Sequence, residues 1–216
     1  MRKKQQMMRN SLSILLIFLS SIAYALNVEN CFSTMPNALL PVLTQQQRIE
    51  LLEYYKAEQD DSIKNRFGGQ SRIQFLDTTA LHLKVQTTQS STFELFILQP
   101  DTLTQPIIGI IRTVCAPICH SSVTFYDNAW HIIPTPFDMP KATEWINTNA
   151  LTENEDAKFL VQPFLDINFI SLQFDAENST LVAFNNNLDF LTTEERKQVQ
   201  PFIKQEAIHK KQLNQK

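Results

Sequence analysis

The string Cys115-Ala116-Pro117-Ile118-Cys119-His120 holds two thiols and an imidazole within six consecutive residues, the densest group of reactive side chains in the chain. Four chemistries suit such a cluster. A disulfide would close the short loop between Cys115 and Cys119, or join one of them to Cys31. A metal site would draw on Cys115, Cys119, His120 and His131, since thiolate and imidazole both bind zinc. A thiol-disulfide oxidoreductase wants a C-x-x-C pair opening a helix, where the dipole lowers the thiol pKa. A cysteine hydrolase needs His120 or His131 as base beside an activated thiol, oriented by an acid such as Asp127.

The spacing here is C-x-x-x-C and its context is strand to strand, which disfavours the redox reading. Structural zinc sites bring their ligands as two separated pairs, and the sequence offers no second pair. Nothing in the spacing demands a nucleophile–base arrangement. The cysteines are therefore read as structural, with Cys115, Cys119 and Cys31 as disulfide candidates and the connectivity open. Three is an odd count, so at least one thiol lacks an intramolecular partner.

No catalytic residue, metal site or cofactor site is assigned. The motifs G-x-S-x-G, H-E-x-x-H and S-x-x-K are missing from the sequence. With only three glycines, Gly68, Gly69 and Gly109, no phosphate loop or dinucleotide fingerprint can be written. Glu153, Glu155 and Asp156 cluster without the spacing of an EF-hand and read as a solvated helix start. His82 falls on the polar side of an alternating strand and is expected to be solvated; His209 lies in a basic tail. Asn178-Ser179-Thr180 fits a glycosylation acceptor. Most of the fifteen phenylalanines sit at alternating strand positions and read as core. Tyr126, Trp130, His131 and Trp145 form the candidate binding patch, because a partly polar aromatic can face solvent and stack on a ligand.

These residues need elements to hold them. Thr34 and Pro36 suggest a cap and first-turn proline for a short helix over residues 37–40. Thr44 and Gln47 make a capping box for a second helix, with Ile49, Leu52 and Tyr55 on one face and Leu51 and Tyr54 beside them. Gly68-Gly69 closes that region with a turn. From Ser71 the period changes to 2. Residues 81–85 and 92–97 alternate cleanly, and Val123 and Phe125 mark a further strand before Trp130 to Ile133. Ile107-Ile108-Gly109-Ile110-Ile111 is apolar on both faces and predicts a strand covered on both sides. Helix is expected between residues 141 and 162, strands near 169–174 and 180–184, and a last helix from the Thr192–Glu195 capping box, broken near Gln200 by Pro201. The tail from His209 should fray. Short strands with short gaps favour antiparallel pairing. The expected fold is α+β: an antiparallel meander of about six to eight strands, with N- and C-terminal helices on one face.

The N-terminus speaks to address. Arg2, Lys3, Lys4 and Arg9 precede an apolar run over residues 11–19, and Ala23-Tyr24-Ala25 supplies small residues for a peptidase. This predicts a signal peptide over residues 1–25, cleaved after Ala25, and a single exported domain over 26–216, periplasmic or secreted. The alternative, a retained anchor, is disfavoured by the short apolar core and its diluting serines. Val28-Glu29-Asn30 before Cys31 do not fit a lipoprotein signal. Removing the leader takes away four basic and no acidic residues, which moves the formal charge from −3 to −7. An acidic body of this kind repels nucleic acid and anionic lipid, so no nucleic-acid partner is expected and the membrane matters only during export.

Several strings resemble a known group. Cys31-Phe32-Ser33-Thr34-Met35-Pro36 with Leu39-Leu40-Pro41, then Arg48 to Tyr54, Asn65-Arg66-Phe67-Gly68-Gly69, the Cys115 to Cys119 string, Ser121 to Tyr126 and Trp130 occur in an order similar to that of an exported domain-of-unknown-function family of Bacteroidetes-type bacteria. The resemblance spans about residues 30 to 185 by motif order. It departs at His120, where the pattern would put an acidic residue, which weakens a metal or base role there. The resemblance implies an address and no activity. Taken together, the sequence points to a non-enzymatic binding or structural domain of the cell envelope, meeting an envelope protein or a glycan. The alternative is a thiol-based or hydrolytic enzyme using the Cys115–Cys119–His120 turn.

Overall fold

The computed structural model describes residues 26–59, 62–99, 105–153, 157–166 and 169–213. The leader expected over residues 1–25 lies outside them. Helix α1 (Val28–Thr34) is capped by Asn27, whose side chain accepts from Glu29 N. Thr34, expected to cap a helix, instead closes this one, with its hydroxyl on Asn30 O at 2.7 Å. A 3-10 turn at Asn37–Leu39 follows. Helix α2 (Gln45–Lys56) opens on the Thr44–Gln47 capping box and buries Arg48, Leu51 and Leu52. It ends before β1 (Ser62–Lys64), so Gly68-Gly69 turns one strand into the next, β2 (Gln70–Asp77), rather than ending a helix.

The meander continues through β3 (His82–Thr88), β4 (Ser91–Leu98), β5 (Ile107–Cys115), β6 (Cys119–Tyr126) and β7 (Ile132–Ile133). All seven strands pair antiparallel with their sequence neighbours in the order β1 to β7. A 3-10 turn at Ala142–Trp145, α3 (Thr148–Thr152) and α4 (Ala157–Asp166) lead to β8 (Ile170–Asp175) and β9 (Thr180–Asn185). Helix α5 (Thr193–Val199) rises from the Thr192–Glu195 capping box and tightens to a 3-10 turn at Pro201. The tail then forms β10 (Ile208–Lys211), which pairs with β9 and completes a three-stranded sheet. The expected fraying at His209 is thus corrected through Lys211: the Lys210 ammonium reaches the Glu144 carboxylate at 2.7 Å and Asp138 at 3.5 Å.

The α+β class and the meander match the sequence reading, but the helices divide between the two faces of the large sheet. Ile108 and Ile110 of β5, with Leu83, Val85, Phe93 and Leu95, pack against Val28, Phe32, Leu43 and Leu51. Ile107 and Ile111, with Phe96 and Phe125, pack on the other side against Leu172, Phe174, Leu181, Trp145, Val199 and Ile203. A central strand apolar on both faces requires two covers, and the two ends of the chain supply one each. Gly109 lies opposite Phe96, where a Cβ would meet the phenyl ring at 2.2 Å; that ring stacks on Phe174 with centroids 3.9 Å apart.

The small sheet crosses the large one through its edge strand. Along β8, Ile170 N donates to His120 Nδ1 at 3.5 Å, Leu172 N to Ser121 Oγ at 2.9 Å and Phe174 N to Glu94 Oε1 at 2.7 Å. Side chains of β6 and β4 therefore satisfy alternate N–H groups that an edge strand would otherwise leave open to pairing. This also corrects the expectation for His82. The polar face of β3 is covered by β8, so His82 is buried among Phe75, Phe96 and Phe174, with Nε2 2.8 Å from Glu94 Oε1.

Candidate functional site

The reactive string occupies the β5–β6 hairpin. Cys115 and Cys119 are partners in the strand register and are joined by a disulfide, with their Cα atoms 3.9 Å apart. Three residues bridge them, through a cis Ala116–Pro117 peptide. Two bonds fasten the tip: Cys115 N donates to Ser90 O at 2.8 Å, and Asn186 Nδ2 donates to Cys119 O at 2.7 Å. His120 is exposed beside Phe169. His131 lies past the far end of β6, about 20 Å of strand away, and sits 3.0 Å from Asp127 Oδ2. The four residues of the metal reading are not brought together, and among the described residues no cluster of three His, Cys, Asp or Glu side chains is placed to hold a metal.

Cys31 stands apart, buried in α1 with a free thiol. Burial pushes its pKa from 9.0 up to about 11. The folded chain therefore holds this proton more tightly than the unfolded chain. That contribution to stability is complete below pH 9 and is lost as the pH rises toward 11, at up to about 1.4 kcal/mol per pH unit. Urea melts of the natural chain and of Cys31→Ala should run parallel below pH 9, with the natural chain losing stability faster above it.

The four members of the expected aromatic patch also separate. Tyr126 is buried and Trp130 half-buried, their rings 5.9 Å apart, beside the core of the N-terminal helices. Trp130 holds a left-handed backbone (φ 65°), set by the turn in which Asp127 Oδ1 accepts from Ala129 N and His131 N. The His131 amide is the main reason the Asp127 carboxyl lies below its ordinary pKa. His131 is exposed. Trp145 is buried to 1% exposure in the opposite core, because the bridge between Ile146 and Ile203 draws its segment under the C-terminal turn.

Two buried charged side chains escaped sequence reading, and both are occupied structurally. Arg48 is fully buried and surrounded by oxygen acceptors: Phe32 O (2.7 Å), Ser33 O (3.3 Å), Met35 O (2.6 Å), Leu43 O (3.1 Å) and Asn37 Oδ1 (3.0 Å). Burial lowers its pKa, and these five bonds compensate for the lost water. Glu94 takes His82 and the Phe174 amide on Oε1, with Lys84 Nζ at 3.4 Å from Oε2.

Among the concavities formed by the described residues, the two most voluminous are candidate contact surfaces. One, of about 430 Å³, is apolar and lies between α4 and α5, lined by Phe159, Leu160, Pro163, Phe190, Leu191 and Val199. Phe159 is 83% and Phe190 59% exposed. The other, of about 750 Å³, lies at one end of β2 and β3 and is lined by polar residue types, chiefly Gln70, Arg72, Gln86, Thr88, Gln89 and Ser90. Neither has a signal in the periodicity of the sequence, because each is made by residues from separate elements.

No curated protein matches the chain. Among solved structures, it resembles a domain of an uncharacterised protein from Porphyromonas gingivalis W83, with a TM-score of 0.68 at 20% identity, over 83% of this chain and 90% of that one. The likeness shows a shared fold. A family model described as "Protein of unknown function (DUF3256)" matches residues 20–214, nearly the whole sequence, and the chain belongs to that family.

Proposed function

We propose that this protein is an exported domain of the cell envelope that works by binding, without catalysis, its partner being an envelope protein or a glycan. The Cys115–Cys119 disulfide carries the reading. Such bonds persist outside the reducing cytosol, in agreement with the cationic, apolar, small-residue order of the first 25 residues. The non-catalytic part is supported by what the charged interior does: Arg48, Glu94 and His82 each bond to backbone or to one another at the seams of the fold. The hydrolytic alternative needs a free thiol at the hairpin, where both sulfurs are joined; the redox alternative wants a C-x-x-C pair opening a helix, and this pair is C-x-x-x-C between two strands.

A Cys115→Ser/Cys119→Ser variant tests the role of the bond. Chain entropy for so short a loop gives about 2 kcal/mol as the upper end of the loss, and the strands already hold the two residues in register. We expect a modest fall in melting temperature with the fold and any partner binding retained. Maleimide trapping in intact cells supplies the companion test. One thiol should be modified after denaturation, and three only after reduction; three thiols without reduction would contradict the proposal.

A further inference from the structure

The groove at the end of β2 and β3 has the build of a prepared ligand site. Gln70 and Arg72 alternate along β2, and Gln86 lies opposite Arg72 in the register. Arg72 Nε donates to Gln86 Oε1 at 3.0 Å, which fixes the two planar groups to each other. The terminal guanidinium nitrogens and the Gln86 amide nitrogen keep their donors without a partner among the described residues. Thr88, Gln89 and Ser90 continue the wall, and among the described residues no carboxylate lines it. The volume of about 750 Å³ falls within the range of small-ligand sites, about 300–1,000 Å³.

The turn at the edge of this groove is held from beneath. Asn65, 5% exposed, accepts Phe67 N at 3.0 Å and Gly69 N at 3.1 Å on Oδ1. Its Nδ2 donates to Thr87 O at 3.0 Å and Ser71 Oγ at 3.1 Å, and Ser71 Oγ donates to Thr87 O at 2.7 Å. Gly68 takes a left-handed φ of 85°, and a Cβ on Gly69 would press Asn65 at 3.3 Å. The result is a stiff turn carrying Phe67, 72% exposed, two residues from the groove wall at Gly69. Ordering is thus in place before any ligand arrives, which removes part of the cost of binding.

We propose that this groove binds an oligosaccharide. Amide, hydroxyl and guanidinium groups match a ligand whose hydroxyls both donate and accept, and an exposed phenyl ring offers an apolar plate for the C–H face of a pyranose. A phosphate ligand would call for several cations, and among the described residues the groove has one arginine, whose Nε is engaged. A peptide side chain would need an apolar pocket, which lies elsewhere, between α4 and α5. The inference deepens the binding reading above and rests on it, with a test that does not depend on cellular location.

The test is amide NMR titration of the purified protein with four probes: cellohexaose, chitohexaose, mannohexaose and trigalacturonate. At least one should bind with a Kd of about 1 mM or tighter, moving the amides of Phe67–Arg72 and Gln86–Ser90. Arg72→Ala, Gln86→Ala and Phe67→Ala should each weaken binding about tenfold with unchanged melting, since all three side chains project from the surface. Phe159→Ser, in the apolar groove, should leave binding intact. The proposal is overturned if none of the four probes moves these amides, if shifts fall elsewhere, or if binding survives the three groove variants. An exported protein indifferent to saccharides would lose only this inference; a cytosolic protein that binds them would lose only the envelope reading.

Discussion

Arg48→Met should destabilise the protein by about 3–5 kcal/mol, because it orphans several buried carbonyl acceptors at about 1–3 kcal/mol each, part of which relaxation recovers. Methionine fills similar space, so little of the loss would come from a cavity. It would come from the oxygens of Phe32, Ser33, Met35, Leu43 and Asn37, which lose their common donor in a place water reaches poorly. Three of these carbonyls belong to the end of α1 and the residue after it, where a helix leaves its last C=O groups without internal partners. Arg48 is the cap for that end, delivered from α2. Arg48→Lys keeps the charge but brings three donors in place of five, and should fall between the natural chain and Arg48→Met. Domains have about 5–15 kcal/mol to lose, so Arg48→Met should stand close to unfolding in a urea melt at room temperature. A loss below about 1 kcal/mol would refute the capping role.

Glu94→Ala should cost a similar amount, about 3–5 kcal/mol, through a different seam. The substitution leaves His82 Nε2 and the Phe174 amide buried without an acceptor and removes the carboxylate facing Lys84. Glu94→Gln retains the shape and one acceptor oxygen, and should cost about 1–3 kcal/mol. Hydrogen exchange distinguishes this seam from the Arg48 one. In Glu94→Ala, protection should fall first at Phe174 and Leu172, where β8 meets the large sheet, while α1 stays protected. Arg48→Met should show the reverse order.

Both residues mark where the sequence stopped being readable. Alternation located β3 and β4, strands were also expected where β8 and β9 lie, and the two capping boxes fixed the starts of α2 and α5. The five-residue apolar run at Ile107 announced a strand with two covers. Alternation does not tell which polar face will be covered by a distant part of the chain. Glu94 and His82 look solvent-facing in their own strands and are buried because β8, some eighty residues on, lies over them. Arg48 shows nothing unusual in a helix, since its acceptors are backbone carbonyls and carry no side-chain signature. Helix α1 was missed because its start abuts the apolar leader, and β10 because a polar, lysine-rich tail reads as coil until a strand edge is offered. At the hairpin, the sequence left three cysteine pairings open. The register of β5 with β6 selects Cys115–Cys119, and the burial of Cys31 in α1 excludes it.

The proposed protein leaves the cytosol and works without a reactive thiol, its one unpaired cysteine, Cys31, being buried. Intact mass spectrometry of the protein recovered from separate cell fractions tests that most directly. The account predicts a chain beginning at Leu26 in the envelope or medium, two hydrogens lighter than its fully reduced mass, with one thiol open to alkylation after denaturation. A chain beginning at Met1, found in the cytosol with all three cysteines reduced, would contradict it.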